Sequence, residues 1–124
     1  MLDNPYVRLA NNWLHDVATG LWAACLLVLY VLNSRAAELA ADPALAPAIE
    51  ALSGAAWAVF LLLIIALVAV TLTGVARLLY WRAETAADEL ATKRKALIGK
   101  HIAFIAVYGP GSALAYWLYA GISV

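Results

Sequence analysis

The stretch GAAWAVFLLLIIALVAVTLTGVARLLYW, residues 54–81, contains a single charged side chain, Arg77. A helix rises about 1.5 Å per residue, so about 20 apolar residues cross the hydrocarbon of a bilayer. Residues 13–32 and 96–122 are also long and apolar enough. Each segment must be helical, because lipid offers no partner for unpaired backbone groups. The sequence therefore predicts an all-α integral membrane bundle of three transmembrane helices, forming one membrane domain over residues 1–124.

The composition of the whole chain supports this fold class. Apolar residues make up 66% of the chain and charged residues 13%, whereas soluble domains carry about 25% charged residues. The formal net charge of +0 gives no sign of a nucleic-acid partner. The first span could be a signal peptide, but its uncharged part, residues 17–34, exceeds the usual h-region of about 7–15 residues. We therefore expect a retained helix with the lone Cys25 in its core and membrane lipid around it.

The connections between the spans predict the orientation of the chain. Residues 33–53 are acidic and contain Pro43 and Pro47, which predicts a partly ordered loop. Residues 82–100, expected to continue as helix beyond the lipid, hold most of the positive charge, namely Arg82, Lys93, Arg94, Lys95 and Lys100. The positive-inside rule then predicts an up-down-up bundle with the N-terminus cytoplasmic and the C-terminus outside. The expected location is the bacterial inner (cytoplasmic) membrane.

The chain has two histidines, and both lie near the start of a predicted span. In an up-down-up bundle the first and third helices run parallel, so His15 and His101 begin at the same membrane face. Helical rise places them roughly 3 Å and roughly 8 Å below the interface. Ionisable groups within a span usually face a partner, a cavity or a cofactor. A haem iron bound by one imidazole from each helix satisfies this arrangement, which predicts haem b between the first and third spans.

Aromatic and cationic residues near the histidines fit the same prediction. Trp22 lies two turns beyond His15, and Tyr108 lies two turns beyond His101, before a Gly-Pro-Gly sequence that should kink the helix. The antiparallel second helix ends at the same membrane face with Thr73, Gly74 and Arg77 on one side. Arg77, Lys100 or Arg82 would then pair with the haem propionates.

Each of these residues also has a simpler interpretation. Either histidine could form hydrogen bonds at the membrane interface, with Asn12 and Asp16 as polar neighbours of His15. Arg77 could extend its charged head to the interface. Asp16 lies about 100° around the helix from His15, so it is better placed for the second loop, a neighbouring subunit or a proton path. These readings predict a cofactor-free structural subunit.

Three short motifs resemble those of a known membrane family. They are Trp13-Leu14-His15 followed by Trp22, then Leu72-Thr73-Gly74-Val75, and finally Lys100-His101. The pattern is similar to the CopD-like superfamily of small membrane proteins, which includes copper-resistance proteins and HemJ-type protoporphyrinogen oxidases that bind haem b. Ala23-Ala24 stands where CopD-like proteins commonly have a Gly-Gly pair. The resemblance implies a helical membrane fold with a haem or copper role.

Our leading prediction is a b-type haem subunit for electron transfer rather than a stand-alone enzyme. It would exchange electrons with quinone or a partner redox protein, as a homo-oligomer or within a larger membrane complex. One alternative is a cofactor-free accessory subunit. The other is CopD-like copper transport, although soft Cu(I) prefers thiolate or thioether ligands and the chain has only Cys25 and Met1.

Overall fold

The computed structural model of the chain describes residues 4–84 and 90–122. These residues form three long helices, α1 (Pro5–Leu39), α2 (Ala46–Glu84) and α3 (Leu90–Ala120), with a short 3-10 helix, Pro43–Leu45, between α1 and α2. Three helical segments are long and apolar enough to cross a membrane: Pro5–Leu39, Pro43–Tyr80 and Arg94–Ala120. The all-α bundle of three membrane-spanning helices is therefore confirmed.

Local side-chain chemistry fixes the ends of α1. At its start, Asn4 Oδ1 accepts a hydrogen bond of 2.9 Å from the backbone N–H of Tyr6, and Pro5 occupies the first turn, where no backbone donor is needed. Past its end, Pro43 disfavours helical geometry at the residue before it. Asp42 is accordingly extended, with φ −117° and ψ 110°, and its side chain caps the 3-10 helix.

The connection between α1 and α2 is shorter than the sequence predicts. The expected loop over residues 33–53 is wrong, because α1 continues to Leu39 and α2 already begins at Ala46. Residues 35–39 are Arg, Ala, Ala, Glu and Leu, all strong helix formers. Pro47 lies in the first turn of α2, where a missing N–H costs no intrahelical bond. The second connection is helical at residues 82–84 and 90–100, as expected.

The core of the protein lies mainly between the antiparallel helices α1 and α2. Its buried positions recur at steps of three, four or seven residues on both helices, which keeps one face of each helix against the other. Small residues in this face let the two backbones approach closely. The residues are Ala18, Trp22, Cys25, Leu29 and Ala36 on α1 and Ala56, Leu63, Ala66, Val70, Thr73 and Tyr80 on α2. Cys25 is thus a core residue, as predicted.

Helix α3 runs parallel to α1 but packs closely only along its C-terminal half. Asn33 of α1 donates a hydrogen bond of 2.8 Å to the carbonyl of Leu118, and the buried residues Ala115, Leu118 and Ile122 all lie at this end. Between residues 94 and 114 no side chain is buried. The helix continues through Pro110, and the kink predicted there stays a prediction. The first half of α3 therefore stands apart from the α1–α2 core.

Candidate functional site

A cavity of about 500 Å³ lies where the first half of α3 separates from α1 and α2. His15 of α1, Arg77 of α2, and Lys100 and His101 of α3 all line it. Its volume is within the range of about 300–1,000 Å³ that is typical of small-molecule and cofactor sites. The fold therefore brings together four of the six predicted site residues, and both histidines face one space.

His15 is half-buried and is held by a residue of the neighbouring helix. Its Nδ1 atom lies 2.9 Å from the hydroxyl oxygen of Thr73, which is buried. Gly74 lies beside the imidazole, since a Cβ added there would be 3.6 Å from His15 Cε1. The sequence places Thr73 and Gly74 on the correct side of α2 but does not identify Thr73 as the hydrogen-bond partner.

His101 is exposed and bonds to its own helix. Its Nδ1 atom lies 2.8 Å from the carbonyl oxygen of Leu97, one turn earlier. A carbonyl oxygen only accepts hydrogen bonds, so Nδ1 must carry the hydrogen, and the lone pair of a neutral ring is then on Nε2. Nε2 of His101 is therefore the atom available to a ligand.

Arg77 connects α2 to the start of α1. Its Nε donates to Asn12 Oδ1 at 2.8 Å, while Nη2 donates to the Asn12 carbonyl at 3.0 Å and to Asp16 Oδ1 at 3.1 Å. Asp16 thus pairs with α2, whereas its position in the sequence predicts that it faces the second loop, a neighbouring subunit or a proton path. Arg77 reaches Asp16 because the antiparallel packing of α2 on α1 places it beside the turn that contains Asn12 and Asp16. Lys100 is exposed.

Trp22 and Tyr108 lie beyond the cavity, between α1 and α3. Their ring centroids are 4.6 Å apart, and the ring of Tyr108 stacks on Phe104 with a centroid distance of 4.5 Å. Phe104 is the member of this stack that lines the cavity. Phe104 is not among the residues predicted from the sequence, although its position one turn from both His101 and Tyr108 places it on their face of the helix. The aromatic wall therefore begins at Phe104 and continues through Tyr108 to Trp22.

Across residues 4–84 and 90–122, no group of three or more His, Cys, Asp or Glu side chains is placed to hold a metal ion. No protein-family model matches the chain, and no curated protein or solved structure matches it. The CopD-like resemblance therefore stays a prediction, and a functional proposal must come from the cavity.

Proposed function

We propose that this protein is a b-type haem-binding membrane subunit for electron transfer, in which His15 and His101 would hold the haem. The observation that carries the proposal is that both imidazoles line one cavity, although they come from different helices. Two parallel helices that each offer one imidazole suit a haem, since its iron takes two axial ligands and its macrocycle fits between helices.

The remaining walls of the cavity fit an amphipathic ring with acidic substituents. Val70, Leu78 and Phe104 supply apolar surface. Lys100 supplies a positive charge. Arg77 makes its three hydrogen bonds to α1 through Nε and Nη2, and Nη1 takes no part in them. These groups would pair with the haem propionates through charge-assisted hydrogen bonds. When bound, the haem supplies one-electron chemistry, and quinone or a partner redox protein is the proposed donor or acceptor.

The proposed setting is the bacterial inner membrane, in a homo-oligomer or a larger complex, with the N-terminus cytoplasmic. Support comes from the positive charges near one end of the bundle. Arg8 lies over the ring of Tyr80 at 5.5 Å, which places the start of α1 beside the end of α2. Arg94, Lys95 and Lys100 lie at the start of α3, which runs parallel to α1. The positive-inside rule assigns this end to the cytoplasm.

A cofactor-free structural subunit is the second candidate, and one observation favours it. His15 and Arg77 both make hydrogen bonds between α1 and α2, to Thr73 and to Asn12 with Asp16. Hydrogen bonds of polar residues between helices stabilise a membrane bundle without any cofactor. The two candidates differ over His101, whose hydrogen bond to Leu97 lies within its own helix. The haem subunit requires His101 as a ligand, whereas the cofactor-free subunit gives it no part in joining helices.

The test is the absorption spectrum of the full-length protein purified from haem-replete cells, with a pyridine haemochrome assay. We expect a reducible b-type spectrum in the wild type. His15→Ala and His101→Ala should each weaken haem retention more than about tenfold, because even loss of a hydrogen-bond partner of a metal-binding histidine costs about 10–100-fold. Asn11→Ala is the control, since it removes an α1–α2 hydrogen bond to the Thr73 carbonyl without removing an imidazole. A wild type without haem, or full retention in both histidine variants, would reject the proposal.

A further inference from the structure

The hydroxyl group of Thr73 has three close polar neighbours beside the cavity. Thr73 is only 6% exposed. Its Oγ1 lies 2.6 Å from the carbonyl oxygen of Ala69, 3.2 Å from that of Val70 and 2.9 Å from His15 Nδ1. Two of these neighbours only accept hydrogen bonds, and the third can donate or accept.

The short contact to Ala69 decides which atom donates. A hydroxyl group has one hydrogen, and two oxygen atoms only 2.6 Å apart require a hydrogen between them. Thr73 must therefore donate to the carbonyl of Ala69. Its oxygen is then an acceptor toward His15, so the hydrogen in that contact belongs to His15 Nδ1.

We infer that Thr73 is a positioning residue that holds His15 as the Nδ1–H tautomer and so presents its Nε2 lone pair to the cavity. The hydrogen bond made by one ring nitrogen sets which nitrogen is free to bind a metal. His101 reaches the same tautomer through the Leu97 carbonyl. Both imidazoles thus offer Nε2, although one is fixed by a neighbouring helix and the other by its own.

The identity of the ligand in this inference rests on the proposed haem function. The assignment of the His15 tautomer does not depend on that function. The first measurement therefore uses the full-length protein in detergent without haem, labelled with ¹⁵N-histidine. Long-range ¹H–¹⁵N correlation spectra distinguish a protonated Nδ1 from a protonated Nε2. The chain has only two histidines, so a His101→Gln variant assigns the signals of His15.

We expect His15 in the wild type to be protonated at Nδ1. Thr73→Val should convert a large part of this population to the Nε2–H form, and Thr73→Ser should restore the wild-type pattern. Thr71→Val is the matched control for the tautomer, because its hydroxyl bonds the Leu67 carbonyl of the same helix at 2.8 Å. A wild-type ring protonated at Nε2, or a Thr73→Val variant with an unchanged tautomer, would overturn the inference. Where Thr73→Val does not fold, Thr73→Ala removes the same hydroxyl group and takes its place in the test, with the same expected result and the same result that would overturn the inference.

A second measurement joins the inference to the proposed function. Thr73→Val should weaken haem retention by about 10–100-fold, the usual effect of removing the hydrogen-bond partner of a metal-binding histidine, and Thr73→Ser should recover most of it. Full haem retention in Thr73→Val would overturn the positioning role. A wild type that shows the Nδ1–H tautomer but binds no haem would reject the proposed function and leave the assignment of Thr73 intact.

Discussion

Gly111 determines how closely α3 approaches α1. A Cβ atom built at Gly111 would lie 2.4 Å from Cη2 and 2.7 Å from Cζ2 of Trp22, which is closer than non-bonded carbon atoms come. The Trp22 ring cannot easily move, since it is buried, packs against Tyr108 and donates to Ser112 Oγ at 3.3 Å. We therefore expect Gly111→Ala to destabilise the protein by about 1–3 kcal/mol, the usual cost of overpacking.

Gly99 provides the matched control for this prediction. It lies on the same helix, it is not followed by a proline, and a Cβ atom there meets nothing within 4 Å. Gly99→Ala should be neutral or stabilise by up to about 1 kcal/mol, the gain in helix propensity. SDS unfolding of the detergent-solubilised protein, followed by circular dichroism, measures both variants. Equal stability of the Gly111→Ala variant and its control would contradict close packing of the Trp22 ring against Gly111.

The face of a helix on which a residue lies and the partner that the residue contacts are determined by different things. Helical geometry alone brings Thr73 and Arg77 to one side of α2, and both contact α1. The partners of these residues depend on the register between helices, which sequence spacing within one helix does not contain. Thr73 as the partner of His15, and the pairing of Asp16 with Arg77, therefore became visible only in the structure.

At the scale of the helices, Asn33 joins α1 to the end of α3. The last carbonyl groups of a helix lack intrahelical donors, and Asn33 Nδ2 reaches the Leu118 carbonyl at 2.8 Å. Asn33→Ala should cost about 0.5–1.5 kcal/mol, the usual value of such a bond, in the same SDS unfolding assay. Ser34→Ala is the control, because Ser34 bonds Tyr30 of its own helix, and it should stay within about 0.5 kcal/mol of wild type. Equal losses in the two variants would contradict an interhelical role for Asn33.

The existence of the helices could be predicted from the sequence, but their packing faces could not. Three apolar segments of sufficient length predict three spans, and the structure confirms them. In α2 nearly every residue from 54 to 76 is apolar, so hydrophobic periodicity cannot separate the face on α1 from the face toward lipid. Residue size does not separate them either, since Ala56 and Ala66 are buried whereas the equally small Ala55 and Ala58 are exposed. The loop predicted over residues 33–53 is wrong for another reason, since α1 and α2 continue past the length that crosses the lipid.

Over the whole molecule, the two ends of the bundle differ in packing and charge. The cavity opens at the end where α3 leaves the core, and Arg77 and Lys100 line it. The opposite end is closed by aromatic contacts, with Phe60 stacked on Tyr119 at 5.2 Å and Trp57 5.6 Å from Tyr119. The acidic residues Glu38, Asp42 and Glu50 lie at this closed end. The bundle is therefore polarised along the membrane normal, with its proposed site near the basic end.

This polarity predicts the orientation of the chain, which labelling with a membrane-impermeant maleimide can measure. In a Cys25→Ser background, single cysteines replace the exposed residues Asp42 and Arg94. We expect Asp42→Cys to react in intact bacterial cells and Arg94→Cys to react only after permeabilisation, because positively charged loops remain cytoplasmic. Lys95 and Lys100 keep the start of α3 positive when Arg94 is replaced. The unsubstituted Cys25 is 4% exposed, so the parent chain serves as the unreactive control. The reverse labelling pattern would place the cavity at the outer face and require an external electron partner.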